Sequence, residues 1–185
     1  MAYKLSKKLK EAISNLPDSE KDKLLFKLLP KDQPLCEKLE FELLEQGQTL
    51  DQHRQEIKNI IELVVTGHHY SAGWLMMDLR SLSGEITRHA KRTTDAEGEI
   101  LLTLHYLNRT FEEQGRFLKE PTAYNQTLTS YIARKTDFVL NRLAKLHPDL
   151  YVEYEDEVNK LLQHIYNSAA SHSAAELKLP EVWPS

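Results

Sequence analysis

Residues 57–89 read IKNIIELVVTGHHYSAGWLMMDLRSLSGEITRH, and whether they form one rod or two joined by a turn sets the plan of the chain. Ile57, Ile61 and Val64 recur at steps of four and three, and Leu75, Leu79, Leu82 and Ile86 continue that spacing. Such recurrence belongs to an amphipathic helix and not to a strand. Between the two runs lie Gly67, His68, His69, Tyr70, Ser71, Ala72 and Gly73. The favoured reading ends the first helix at Gly67 in a left-handed cap and lets the Ser71 hydroxyl cap the second. A continuous helix also keeps phase, because His68 and Ala72 fall on the same stripe.

The same period extends outward in both directions. Toward the carboxyl end, Ile100, Leu104, Leu107 and Phe111 form one stripe, and Leu128, Ile132, Val139 and Leu143 a second. A third follows His147-Pro148 through Tyr154, Val158, Leu161 and Ile165. Thr49-x-x-Gln52 and Thr94-x-x-Glu97 have the spacing of capping boxes that open helices. Toward the amino end the stripes shorten: Leu5, Leu9 and Ile13 before Pro17, Leu24 to Leu29 before Pro30, then Leu35, Leu39 and Leu43. Helices of three or four turns are marginal alone in water, so these must lean on something. The expected fold is all-α: an up-and-down bundle of four to five long helices preceded by a small module of three short ones.

Composition changes at the join. No arginine occurs before Arg54, whereas arginine is frequent afterwards. The expected division is therefore a short-helix module over residues 1–48, a helical bundle over 49–170 and a carboxyl-terminal tail over 171–185. In that tail, Leu179, Val182 and Trp183 are expected either to pack along the body or to serve as a partner-binding peptide.

The totals narrow the function classes. A formal net charge of −4 does not suit a protein that coats nucleic acid, since phosphate binding is dominated by Lys and Arg. No apolar run has membrane-spanning length and the amino terminus has no secretory pattern, so a cytoplasmic protein with no membrane partner is expected. Cys36 is the one cysteine, on the stripe of Leu39 and Leu43, and is expected to pack as a small hydrophobe.

Catalytic signatures are missing from the sequence. There is no Gly-x-Ser-x-Gly elbow, Gly-rich phosphate loop or dinucleotide fingerprint, and no His-x-x-x-His or Glu-x-x-His pair for a helical metal site. No cofactor and no metal are expected. The leading expectation is a non-enzymatic protein that mediates protein–protein interaction or self-association. A second expectation is a ligand- or metal-binding bundle, even a hydrolase, with a polar pocket drawn from His68, His69, Asp78, His89, His105 and Arg109. Glu85 and His89, one turn apart, are spaced to pair as an ordinary helix-surface contact. The third is RNA or anion binding through Arg88, Lys91 and Arg92, whose plainer explanation is basic charge at a helix carboxyl end.

Overall fold

The computed structural model describes residues 4–183, and every regular element among them is helical. The chain divides into two units, Met1–Gly47 and Gln48–Ser185. In the first, α1 spans Lys7–Ser14, α2 Asp18–Leu28 and α3 Gln33–Glu40. Ser6 caps α1 by accepting from the Leu9 amide, and Asp32 caps α3 by accepting from that of Leu35. A π-helical turn over Phe41–Glu45 extends α3, and the unit ends with Gln46 and Gly47 both at positive φ. None of α1, α2 or α3 contains a buried residue, and Phe41 alone is buried among residues 4–47.

The second unit holds five longer helices, α4 (Leu50–Val65), α5 (Ala72–Thr93), α6 (Ala96–Gln114), α7 (Gln126–Leu143) and α8 (Tyr151–Tyr166), then a short α9 (Ser171–Glu176). Among the described residues no helix is long and apolar enough to cross a membrane. Helix α6 packs against α4, α5, α7 and α8. Its buried residues fall on nearly every face, from Leu102 and Leu104 through Tyr106 and Leu107 to Phe111, as a core helix requires. Beyond its first turn, where Ala96 and Glu97 are exposed, only the strip of Leu101, His105, Arg109, Glu112 and Glu113 stays fully or partly open.

Residues 57–89 form two helices. Ser71 caps α5 by accepting from the Trp74 amide. The left-handed cap at Gly67 is not what ends α4, however. Thr66 and Gly67 close the helix with amide bonds to Glu62 and Val64, and Gly67 is not among the positive-φ residues. The site is tight instead, because a Cβ would lie 3.1 Å from the Val64 oxygen and 3.2 Å from that of Leu63, so the neighbouring backbone would have to yield by a few tenths of an ångström. Thr49 stands at the N-cap position of α4 without a side-chain capping bond.

The box at Thr94 is displaced by one residue. Thr94 ends α5 in the left-handed region, φ 58° and ψ 25°, and Asp95 caps α6 by accepting from the Gly98 amide at 2.8 Å. A carboxylate is the stronger acceptor at a helix amino end, so it takes the cap that the Thr/Glu spacing assigns to its neighbour. The link from α6 to α7 is also longer than the Glu120-Pro121 dipeptide suggests, running over residues 115–125 through a 3₁₀ turn. Asn125 holds it together by donating to the carbonyls of Phe117 and Glu120.

The tail carries α9 and then folds onto the unit. Leu179 and Trp183 are buried, whereas Val182 is 64% exposed, so two of the three expected anchors pack. Asn159 grips the Trp183 backbone on both sides, accepting its amide at 2.7 Å and donating to its carbonyl at 2.8 Å. The indole lies against Tyr151, with ring centroids 4.7 Å apart.

A β-branched residue in the left-handed region is strained. Replacing the exposed Thr94 by glycine is expected to stabilise the chain by about 1 kcal/mol, the ordinary cost of that conformation for a side chain. A rise in the urea midpoint at constant slope would register it.

Candidate functional site

Helix ends and the open strip of α6 gather most of the chain's polar chemistry. At the α4–α5 turn, His69 is buried and its Nε2 lies 3.1 Å from an Asp78 oxygen. Arg116 donates to the His69 carbonyl at 2.8 Å, and Gln114 donates to the carbonyls of Val65 and Gly67. The turn is thus pinned to the end of α6. His68 points outward, its ring edge-on to Tyr70, which is in turn edge-on to Trp74.

On the open strip of α6, Glu62 of α4 meets two side chains. His105 Nε2 lies 3.1 Å away, and Arg109 donates from Nε and Nη2 at 3.0 and 2.9 Å. Arg109 also reaches Glu113 and Glu112, and Lys160 of α8 meets Glu112 at 2.7 Å. The hydrogen bonds from Arg109 hold the Glu62 carboxyl below its usual pKa. This network joins three helices at a solvated edge, where each pair contributes little by itself.

The third group is the most deeply buried. Asp95, at the start of α6, accepts from Arg54 Nε and Nη2 at 2.7 Å each while it caps the helix. Burial pushes its pKa up, but the Arg54 bonds and the Gly98 amide outweigh that and hold the carboxyl below its ordinary value. His89, also buried, brings Nε2 to 3.5 Å from Asp95, a charge approach and not an aligned hydrogen bond. Burial lowers its pKa, and Asp95 offsets only part of that. Tyr154 of α8 donates to Glu97 at 2.9 Å, tying a fourth helix to the same corner. Gly98 is obligatory there, since a Cβ would sit 1.9 Å from Asp95 Oδ2 and 3.0 Å from Arg54 Nε.

The residues singled out in the sequence therefore separate. His69 and Asp78 form one pair, with His68 beside them but facing solvent. His105 and Arg109 share Glu62, and His89 belongs to the Asp95 corner. Asp78 and His89 are eleven residues apart on α5, roughly 16 Å at 1.5 Å per residue. Glu85 pairs with Arg88 and not with His89, because His89 turns inward to Asp95. Lys91 is exposed and Arg92 half-buried. Among the described residues, no three His, Cys, Asp or Glu side chains converge as a metal site would need. Arg54, Glu62 and Asp95 organise two of the three groups, and no spacing rule points to them, because each partner lies about forty residues away or more.

Clefts open on this unit at several places. One, about 640 Å³, runs between α8 and the tail past Asn159, Tyr166 and Val182. A second, about 530 Å³, lies by Tyr70, Arg116, Phe117 and Tyr124. Two more, about 410 and 280 Å³, flank the amino-terminal half of α7.

Gly98→Ala should cost about 2–4 kcal/mol, because the methyl group breaks the cap and splays the buried Arg54–Asp95 pair. Denaturant unfolding measures it. His89 fixes a pH dependence as well. Its folded pKa lies below the unfolded value of about 6.5, so the unfolded chain takes up the proton first as pH falls. Stability should drop from about pH 6.5 downward until the folded imidazole also titrates. His164, whose pKa burial and Lys160 lower, acts in the same direction. Urea midpoints between pH 7.5 and 5 should fall less steeply in His89→Gln than in the parent, without becoming flat. No family model, curated protein or solved structure matches the chain.

Proposed function

We propose that this is a non-enzymatic interaction protein of the cytoplasm, in which the first unit makes the contact and the second is an up-and-down bundle that serves as its scaffold. The observation that carries the reading is the absence of a core in the first unit. No residue of its helices α1 to α3 is fully buried, while Leu25, Phe26 and Leu28 are 53, 71 and 56% exposed and Leu43 and Leu44 are 67 and 77% exposed. Covering one such side chain fully is worth roughly 1.5–3 kcal/mol, so a surface that covered four would gain several kcal/mol before its own ordering costs. Large exposed apolar surface of this kind marks protein–protein contact sites.

Chemistry supports the same reading. Lysines and acids are balanced in the first unit, so its attraction for a partner is apolar and not that of a polyanion binder. The partner is a protein: a second copy or another chain with a complementary apolar groove, recognised as amphipathic helices are. The free thiol of Cys36, half-buried and donating to the Leu29 carbonyl, fits a reducing compartment.

Light scattering and dye binding test this together. The full chain should show a concentration-dependent mass above 21.5 kDa and should bind a hydrophobic fluorophore. Replacing Leu25 and Phe26 together by serine should reduce both by tenfold or so, about 1.4 kcal/mol, with the melting of the second unit unchanged. A monomer that ignores the dye at every concentration would remove the reading.

A further inference from the structure

The cleft of about 280 Å³ beside α7 is lined by polar and basic groups alone, with the Tyr131 ring among them. Arg80 of α5 and Arg134 of α7 stand at its sides, with Gln126, Thr127, Ser130 and Tyr131 between them, and no acidic residue takes part. Four arginines of this unit pair with carboxylates: Arg54 with Asp95, Arg88 with Glu85, Arg109 with Glu62 and Arg142 with Glu99. Arg80 and Arg134 have no carboxylate partner among the described residues. In a chain with more acidic than basic residues, two unpaired guanidiniums over one cleft stand out.

We propose that this cleft is an oxyanion site for a small phosphorylated ligand. Thr127, Ser130, Tyr131 and Arg134 follow one another at i, i+3, i+4 and i+7, which places them on one face of α7. Helical side chains lean toward the amino end, so Arg134 leans back over Ser130 and Thr127. Arg80 is anchored from below, its guanidinium carbon 5.9 Å from the centroid of the Tyr131 ring, while the Tyr131 hydroxyl donates to the Leu79 carbonyl at 3.1 Å. The two forks thus come from different helices already joined to each other, and a phosphate dianion matches two guanidiniums in charge and in hydrogen-bond geometry. The Thr127 hydroxyl and the Gln126 carboxamide make no hydrogen bond to another described residue and are free to bind. The adjoining cleft of about 410 Å³ shares Gln126 and Ser130 and continues past His172 and Glu176. The Gln126 carboxamide and the Glu176 carboxylate there can accept from hydroxyls, so the ligand class is a phosphomonoester of a small polyol.

Nuclear magnetic resonance on the full chain tests it, with inorganic phosphate titrated at ionic strength held constant by chloride, then glycerol phosphate, glycerol and acetate. Saturable shifts are expected at the amides of residues 126–134 with phosphate. Glycerol phosphate should bind several-fold tighter than phosphate, and glycerol and acetate should leave these amides unmoved. R80Q and R134Q should each weaken phosphate by about tenfold. Both side chains are exposed, so melting in chloride should not change, and R88Q should bind as the parent does. The proposal is overturned if phosphate shifts do not saturate, if acetate matches phosphate, or if R80Q and R134Q both bind like the parent.

Discussion

The burial of α6 on almost every side is the constraint from which the second unit follows. A helix whose apolar groups point in all directions needs neighbours all round, and α4, α5, α7 and α8 supply them. Asn108, Thr110 and Gln114 are buried with it, and each places a side-chain donor on a partner inside. Thr110 donates to the Tyr106 carbonyl of its own helix, Asn108 to the carbonyl and carboxylate of Glu157, and Gln114 to the end of α4. These bonds reach particular partners on α8 and α4, and so they select which helix lies against which side. Apolar burial supplies the drive and the polar groups supply the address.

The corner at Asp95 shows how costly chemistry is placed. One carboxylate caps α6, receives both arms of Arg54 and faces His89, so elements distant in sequence converge on a single group. Buried ion pairs add little net stability relative to apolar packing but are expensive to break, because the surviving charge is left without water. Such a corner therefore fixes geometry more than it adds stability. That is why Gly98 has no room for a side chain and why Thr94 tolerates an unfavourable backbone: the turn between α5 and α6 is drawn tight by the carboxylate at its end.

Local rules were sufficient where the determinant is local. Leucine and isoleucine spacing gave the helical class, and Pro17, Pro34 and Pro148 fell at helix boundaries because a ring nitrogen has no amide hydrogen to donate. Ser71 was legible as a cap since its acceptor lies three residues from its donor. Thr94 was misread because two neighbours competed for one cap, and spacing does not rank a hydroxyl against a carboxylate. Gly67 was misread because glycine signals both positive φ and crowding, and only coordinates separate them. The histidines illustrate the limit most plainly. His69, His89 and His105 look alike in one dimension, yet Asp78, Asp95 and Glu62 give them three unrelated settings.

The two units make opposite use of the same residue type. In the second, Leu75, Leu79 and Leu107 have no exposed surface, and each contributes to a core that already offsets its ordering entropy. In the first, leucines of equal spacing remain in water, so the sequence retains apolar free energy that its own folding does not use. A chain that only needed to fold would gain by exchanging Leu25, Phe26 or Leu44 for polar residues, because helices are formed as well by Lys, Glu or Gln at exposed positions. The proposed contact accounts for them by a covered state, and covering three short helices at once asks for a surface as long as those helices, not for a small molecule. The two proposals therefore divide the chain, macromolecular contact falling to the first unit and small-ligand chemistry, where charge and clefts coincide, to the second.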